Sequence, residues 1–374
     1  MSKLFETTVI KSLELKNRLV RSATWEGMCN PDGSPSERLI NCYKDLAAGG
    51  VGLIITGYSY VREEGKQLPG KMGIHADYLE KPMRTLLREV HASGGKLVIQ
   101  LVHAGGQTDT RNAGRRPLAP SSVDVPQFPE IPEELSQNEI SDIVESFGLA
   151  AARAKSWGFD GVQLHGAHGY LINQFLSPLT NRRMDRYGGD IKNRVRFLLE
   201  VYEAVRGTTG NEYPVMIKLN GADFQEGGLT LDDALYAARA LDSLGIDAIE
   251  VSGGTPASGE QGPVRTKIRR PEDEAYNLPL ARAVKEAVKA PVMVVGGIRS
   301  YEKAVSIVEE GIDYISLSRP LIREPHLPNR WKGGDHNPAR CISCNKCFKP
   351  GIKEGGIYCV VEKKEQEKGK KHRR

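Results

Sequence analysis

Nowhere in the 374 residues does an apolar run approach the ~18–20 residues that a membrane-spanning helix requires. The opening stretch, MSKLFETTVIKSLELKNR, scatters charge and holds no apolar segment ahead of a small-residue cleavage site. No secretory leader is expected, and the expected compartment is the cytoplasm. G-x-G-x-x-G and P-loop patterns are both missing, which argues against a separate dinucleotide-binding domain, and no internal repeat is present. A basic stripe is missing too. The formal charge is +5, but the last thirteen residues, EKKEQEKGKKHRR, hold seven Lys/Arg against three Glu and supply most of it. That end is expected to be solvated and disordered, and nucleic acid is not an expected partner.

Cysteine is scarce outside one segment. Of six, Cys29 and Cys42 lie near the start, while Cys341, Cys344, Cys347 and Cys359 fall within nineteen residues. In a reducing compartment such clustering points to a metal or redox site before disulfides.

What the sequence does contain is a repeated alternation of short β-branched runs with helical patterns. Eight runs are present: LVRSAT (19–24), VGLIITG (51–57), KLVIQLVH (96–103), GVQLH (161–165), VMIKLN (215–220), AIEVSGG (248–254), VMVVGGI (292–298) and YISLSRP (314–320). Eight strands, each with room for a following helix, predict an α/β fold, a (β/α)8 TIM barrel over residues 1–334. A short cysteine-rich extension is expected over 335–374. Helix starts agree: SQNE at Ser136–Glu139 is a capping box, and Thr230 precedes LDDALYAARALDSLG, which Gly245 ends. Two long excursions interrupt the alternation. Residues 111–135 carry five prolines and are expected to form an irregular lid over the barrel mouth, and a second excursion, NQFLSPLTNRRMDRYGGDIKNR, follows the fourth strand.

Barrel enzymes place their chemistry at the C-terminal ends of the strands. Found there are Ala23, Thr24 and Trp25; Gly57; Gln100 and His103; His165 and His168; Lys218; Ser252 to Gly254; Gly296 and Gly297; Ser318 and Arg319. The set is poor in carboxylates and has no serine or cysteine nucleophile paired to a base, so hydrolysis fits badly. Glycine pairs closing strands six and seven, then Ser-Arg closing strand eight, suit a phosphate. His165 and His168, three apart in QLHGAHGYL, read on spacing alone as half a zinc site, as structural histidines or as substrate donors. No partner set for zinc is evident.

These residues carry a resemblance. From LKNRLVRSAT through VIQLVHAGGQ, HGAHGYLINQFLSPLTNRRMDRYGG and IKLN to VVGGI and ISLSRPLIREP, the chain resembles the old yellow enzymes, barrel flavoproteins that carry FMN. The resemblance implies that Gln100 hydrogen-bonds the flavin pyrimidine and that Lys218 lies by the N1/O2 edge. There a fixed cation stabilises the negative charge of the reduced ring. It implies that Gly296, Gly297, Ser318 and Arg319 hold the phosphate, and that Ala23, Thr24 and Gly57 lie along the isoalloxazine. His165 and His168 would donate to a substrate carbonyl, and Tyr170 would protonate the α-carbon. The implied activity is reduction of activated C=C bonds in enone- or enoate-like substrates with NADH or NADPH as reductant, in a homo-oligomer. Members often carry Cys or Thr in the first-strand slot that tunes the flavin; here SATWEG places Thr24 and Trp25 there.

The tail, RCISCNKCFKPGIKEGGIYC, reads C-x2-C-x2-C-x11-C. On spacing alone it suits a [4Fe–4S] cluster or a zinc ion. Resemblance to the larger relatives 2,4-dienoyl-CoA reductase and trimethylamine dehydrogenase implies the cluster. Their alternative activities, amine or acyl-CoA oxidation and reduction, come with it. So does an electron-transfer role with a separate electron-donor protein, since those relatives continue into a nucleotide-binding domain and this sequence is expected not to.

Overall fold

The structure, a computed structural model, describes residues 2–125 and 128–371. Eight parallel strands close on themselves: β1 Leu19–Arg21, β2 Leu53–Ile55, β3 Leu97–Val102, β4 Gly161–Gly166, β5 Val215–Asn220, β6 Ala248–Ser252, β7 Val292–Val295 and β8 Tyr314–Leu317. Each pairs with the next, and β8 returns to β1 with Ile315 opposite Leu19. All eight runs expected from the sequence are strands of this barrel.

Period-two alternation decides what fills it. Inward residues near the strand starts are apolar. Val20, Leu53, Val98, Met216, Ala248, Met293 and Tyr314 form one buried cluster with Ile10, Leu13 and Leu15. The last three come from an antiparallel hairpin, Thr8–Ile10 with Leu13–Leu15, which closes the N-terminal end. Two residues further along the same strands the inward side chains turn polar. Ser22, Gln100, Gln163, Lys218 and Glu250 are all buried there, so an apolar floor carries a polar layer beneath the mouth.

The outer ring is α1 Glu37–Ala48, α2 Glu80–Ala92, α3 Gln137–Trp157, α4 Arg196–Thr209, α5 Leu231–Ser243, α6 Leu278–Ala287 and α7 Tyr301–Glu309, followed by two short helices after β8. Ser136 and Glu139 form the expected capping box on α3, as do Thr230 and Asp233 on α5. Reciprocal bonds of this kind satisfy two otherwise orphaned donors at a helix start.

The lid is less irregular than its prolines suggest. It opens with a turn of helix, Thr110–Ala113, and pairs Leu118–Ala119 with Glu133–Glu134 in parallel; residues 126 and 127 lie outside the described set. Arg183 of the second excursion donates to the carbonyls of Pro120 (3.0 Å) and Leu135 (2.6 Å) and pairs with Asp185 at 2.6 Å. The two excursions therefore brace each other across the mouth. Beyond Asp335 come helices Phe348–Lys353 and Val360–Lys371. The expected disorder does not extend to the second of these. Its Lys- and Glu-rich sequence is a strong helix former, and Glu365 pairs with Arg323 of the barrel at 2.7 Å. Residues 372–374 lie outside the described set.

Candidate active site

A cavity of about 420 Å³ opens above the polar layer. Its walls include Ala23, Thr24, Trp25, Gln100, His165, His168, Lys218 and Ser318, expected at strand ends, and Tyr170, expected from the resemblance, together with Tyr58, Gln67 and Lys71. A smaller adjoining recess is lined by Gly296, Gly297, Ser318 and Arg319. The structure thus gathers most of the expected strand-end residues and leaves Gly57 and His103 outside the cavity. Gly57 backs the site without lining the cavity. Its N–H donates to Tyr43 Oη at 3.0 Å, and a Cβ there would collide with the Glu26 carboxylate. His103 is fully buried outside the cavity, accepting from Gly105 N at 3.0 Å.

The polar layer is one continuous network. Gln100 Nε2 donates to Gln163 Oε1 at 2.6 Å, and Gln163 Nε2 donates to Glu250 Oε2 at 2.9 Å. Glu250 Oε1 accepts from Ser22 Oγ at 2.7 Å and lies 3.3 Å from Lys218 Nζ, which itself donates to Ser22 at 2.7 Å. Burial lowers the Lys218 pKa and Glu250 opposes the shift. A buried ammonium held by one carboxylate is a fixed point charge at the cavity floor. Gln100 Oε1 is buried with no partner among the described residues, an open acceptor in the same cavity lining as Lys218.

His165 and His168 are set by β4 and the turn that ends it. His165 faces Lys218 across the β4–β5 register. His168 has φ 61°, a left-handed conformation that costs a non-glycine residue energy and that neighbours must enforce. They do. Asn220 Oδ1 accepts from His168 N at 3.2 Å, Asn173 Oδ1 accepts from Gly169 N at 2.6 Å, and Gln174 Nε2 donates to Gly169 O at 2.6 Å. The His165 and His168 rings stand edge to face with centroids 5.3 Å apart, and Tyr170 lies 4.5 Å from His165.

Burial first, then neighbouring positive groups, push the His165 pKa well below its ordinary value; burial and Lys218 lower that of His168 to about 3. Both rings are therefore neutral near pH 7, each with one N–H to donate. His168 Nε2 is 2.7 Å from Ser252 Oγ, while His165 Nδ1 is buried without a partner among the described residues. The Tyr170 hydroxyl donates to Gln67 Oε1 at 2.9 Å, and burial raises its pKa, so the phenol keeps its proton. Neutral N–H donors beside a protonated phenol can polarise an oxygen and deliver a proton to carbon. Zinc finds no ligand set at the histidines: among the described residues no three His, Cys, Asp or Glu side chains converge as a metal site.

The same holds for Cys341, Cys344, Cys347 and Cys359, which the spacing offered as metal ligands. They are neighbours without ligating geometry. Burial raises the Cys347 pKa to about 11, with Cys341 and Cys344 adding to it, and Cys359 acts on Cys341 in the same sense. Ser343 and Asn345, on either side of Cys344, both take left-handed backbone, which fixes the loop path before any ion does. Arg319 reaches from the recess into this loop, donating to Ser343 O at 3.3 Å and to Asn345 Oδ1.

Four groups in this arrangement escaped the reading of strand ends. Tyr58, Gln67 and Lys71 lie on the loop after β2, in a stretch with no periodicity to mark them. Glu250 had a signal: it is an acid in the middle of the otherwise apolar strand AIEVS.

Residues 3–337 match the NADH:flavin oxidoreductase / NADH oxidase family. The chain is 39% identical to the NADH oxidase of Thermoanaerobacter brockii over 91% of its own length and 52% of that protein's. It is 36% identical to the NADPH dehydrogenase of Halalkalibacterium halodurans over 87% and 93% of the two chains. Among solved structures, a 2-naphthoyl-CoA reductase bound to 2-naphthoyl-CoA superposes with a TM-score of 0.90 at 28% identity, over 96% of this chain and 56% of that one. The chain thus spans about half the length of the first and last of these proteins. With nearly all of the barrel matched and the strand-end residues gathered at one cavity, this chain belongs to the NADH:flavin oxidoreductase / NADH oxidase family, the old yellow enzymes.

Proposed function

We propose that this chain is an FMN-dependent oxidoreductase that reduces the activated C=C bond of an α,β-unsaturated carbonyl compound. The observation that carries the reading is the pair of neutral imidazoles beside a protonated phenol, over a floor that holds a buried lysine.

The residues present fit the cofactor. An open buried acceptor at Gln100 and a fixed cation at Lys218 suit the pyrimidine edge of a flavin, and Ala23 and Thr24 would run along its ring with Gly57 behind them. Gly296 and Gly297 have φ 154° and 73°, and a Cβ on either would press on the Tyr276 ring at 3.0–3.1 Å. Only glycine keeps that turn close enough for backbone N–H groups to meet a phosphate, with Ser318 and Arg319 alongside. When bound, FMN supplies the reducing equivalent to the β-carbon of the double bond.

The protein's part is binding and proton handling. His165 and His168 would hold the substrate carbonyl oxygen between two N–H donors, drawing charge onto it and favouring the enolate-like transition state. Tyr170 would pass its proton to the α-carbon, and Gln67 aligns its hydroxyl. NADH or NADPH would reduce the flavin, or a donor protein would do so through a [4Fe–4S] cluster held by Cys341, Cys344, Cys347 and Cys359. The C-x2-C-x2-C-x11-C spacing and the proximity of the four thiols support that cluster.

The test is anaerobic stopped-flow mixing of reduced flavoprotein with cyclohex-2-enone. Replacing either histidine by alanine should slow flavin reoxidation ~10²–10³-fold, the usual cost of one oxyanion donor, and leave flavin reduction comparatively intact. Equal reoxidation rates in wild type and both variants would refute the carbonyl assignment.

A further inference from the structure

Lys71 stands in the wall of the same cavity and takes no part in the chemistry above. It is 3% exposed and lies between two rings, with Nζ 3.0 Å from the Tyr58 centroid and 5.2 Å from that of Trp25. Aromatic faces attract an ammonium but leave its three N–H donors without acceptors. Among the described residues Lys71 has neither a hydrogen bond nor an ion pair. Glu26, the carboxylate that acts on it from further off, is already engaged by Tyr43 Oη at 3.0 Å and Arg21 Nη2 at 3.8 Å. No Asp or Glu among the described residues lines the cavity, whereas Lys218 at its floor has Glu250 beneath it. Burial pushes the Lys71 pKa well below its ordinary value, with Glu26 opposing the shift, so an anion that meets Nζ in the substrate volume would favour the ammonium form.

A second donor stands beside it. Gln67 uses Oε1 to accept from both Tyr170 and Tyr58, and among the described residues its Nε2 has no hydrogen-bond partner. Tyr58 also fixes the position of Lys71 relative to the reacting groups: its ring centroid is 5.9 Å from His165 and 4.9 Å from Tyr170. The lysine and the histidines thus face one volume, set apart by the Tyr58 ring.

We propose that Lys71 is a substrate-binding residue that receives a carboxylate carried on the unsaturated substrate at a remove from the carbonyl held by His165 and His168. This assignment rests on the carbonyl-reducing reading given above. It makes the substrate an anionic enone attached at two points, the carbonyl at the histidines and the carboxylate at Lys71 with Gln67 Nε2. Attachment at both ends orients the double bond over the cavity floor. The Trp25 and Tyr58 rings shield the ion pair from water, where it is strongest.

Binding is tested apart from turnover. Saturated probes, cyclohexanone and 4-oxocyclohexane-1-carboxylate, are titrated into the oxidised holoenzyme and followed by flavin absorbance. The carboxylate should bind at least about tenfold more tightly, because charge-assisted contacts to a buried ammonium are the strong ones. Lys71→Met, which keeps the apolar stem, should abolish that preference, and Lys71→Arg should restore part of it. The values of kcat/KM for cyclohex-2-enone and 4-oxocyclohex-2-ene-1-carboxylate should follow the same pattern, with Lys71→Met lowering that of the carboxylate enone at least about tenfold more than that of the neutral one. Equal affinities in the wild type, a preference that survives Lys71→Met, or loss of flavin in place of loss of preference would each overturn the assignment. A wild type that prefers the carboxylate probe but reduces neither enone would refute the reductase reading while supporting the carboxylate site.

Discussion

At the barrel mouth several of the candidate site side chains are braced by another. Lys218 rests on Glu250 and Ser22, Tyr170 on Gln67, and His168 on Ser252. The cysteine loop of the extension has little structure of its own and takes its shape from the barrel. Arg38 donates to the carbonyls of Glu354, Gly355 and Gly356, Arg299 to that of Ala339 and Arg319 to that of Ser343, while Ile357 N donates to Glu26 O at 2.8 Å. The difference matches what each region is proposed to bind. A site made of hydrogen-bond donors works only if the scaffold holds them in place beforehand, because misplaced donors lose their advantage in the transition state. Thiolates around a metal need only be close, since the metal's own bonding supplies the final geometry and much of the folding energy.

The sharpest way to break this comparison is to remove one thiol. With the proposed [4Fe–4S] cluster in place, Cys344→Ala should remove its chromophore from anaerobically prepared protein, taking iron from about four atoms per chain to nearly none, while flavin remains bound. Metal analysis together with the visible spectrum decides it. About one zinc and no iron in the wild type would replace the cluster with a structural zinc site.

Next in size is an effect confined to the braced region. Tyr170→Phe keeps the ring against His165 and Tyr58 but deletes the acid, so product formation from an enone should slow ~10²-fold or more, with a smaller change in KM. Solvent deuterium incorporated at the α-carbon reports the proton's source. An unchanged rate would mean that water supplies the proton. Smaller again is Arg319→Ala, which touches both regions because the guanidinium lines the recess proposed for the phosphate and binds the cysteine loop. FMN should dissociate at least about tenfold more readily, and iron retention should fall with it. Loss of iron with flavin retention intact would assign Arg319 to the extension alone.

How far the sequence revealed these regions depends on periodicity. All eight strands were legible because the runs are short, β-branched and bounded by glycine, and on seven of them the inward position near the floor is a buried apolar residue. The strand ends then gave His165, His168, Lys218 and Arg319 directly. Legibility failed where a side chain reaches the site from irregular backbone. Gln67 and Lys71 stand in EGKQLPGKMG, a loop whose path is set by tertiary contacts such as Cys29 N to Gly70 O at 3.2 Å, and no local pattern encodes those. It failed in the tail for the opposite reason. Spacing identified the four cysteines, but a charged run read as disorder is helical to Lys371, where Arg323 of the barrel anchors it through Glu365.

The smallest expected effect lies at the seam between the two regions. Glu26 is buried beside Arg21 and Tyr43, and its backbone carbonyl receives the extension through Ile357. Burial raises its carboxyl from the ordinary 4.5 to about 7, against the opposing pull of Arg21 and Tyr43. A carboxyl raised in this way holds its proton in the folded protein when it would lose it unfolded, between pH 4.5 and about 7. Its contribution to stability is therefore fully present below 4.5 and is lost as pH rises through about 7, after which the loss is constant. Glu26→Gln keeps an acceptor for Tyr43 and cannot ionise. The Tm of this variant relative to wild type should rise by a few °C between pH 5 and pH 8, and level off above that. Calorimetry of both holoenzymes across this range reads the difference directly. A constant difference would show that Arg21 holds Glu26 ionised throughout, and that the seam is a permanent ion pair instead of a proton-carrying contact.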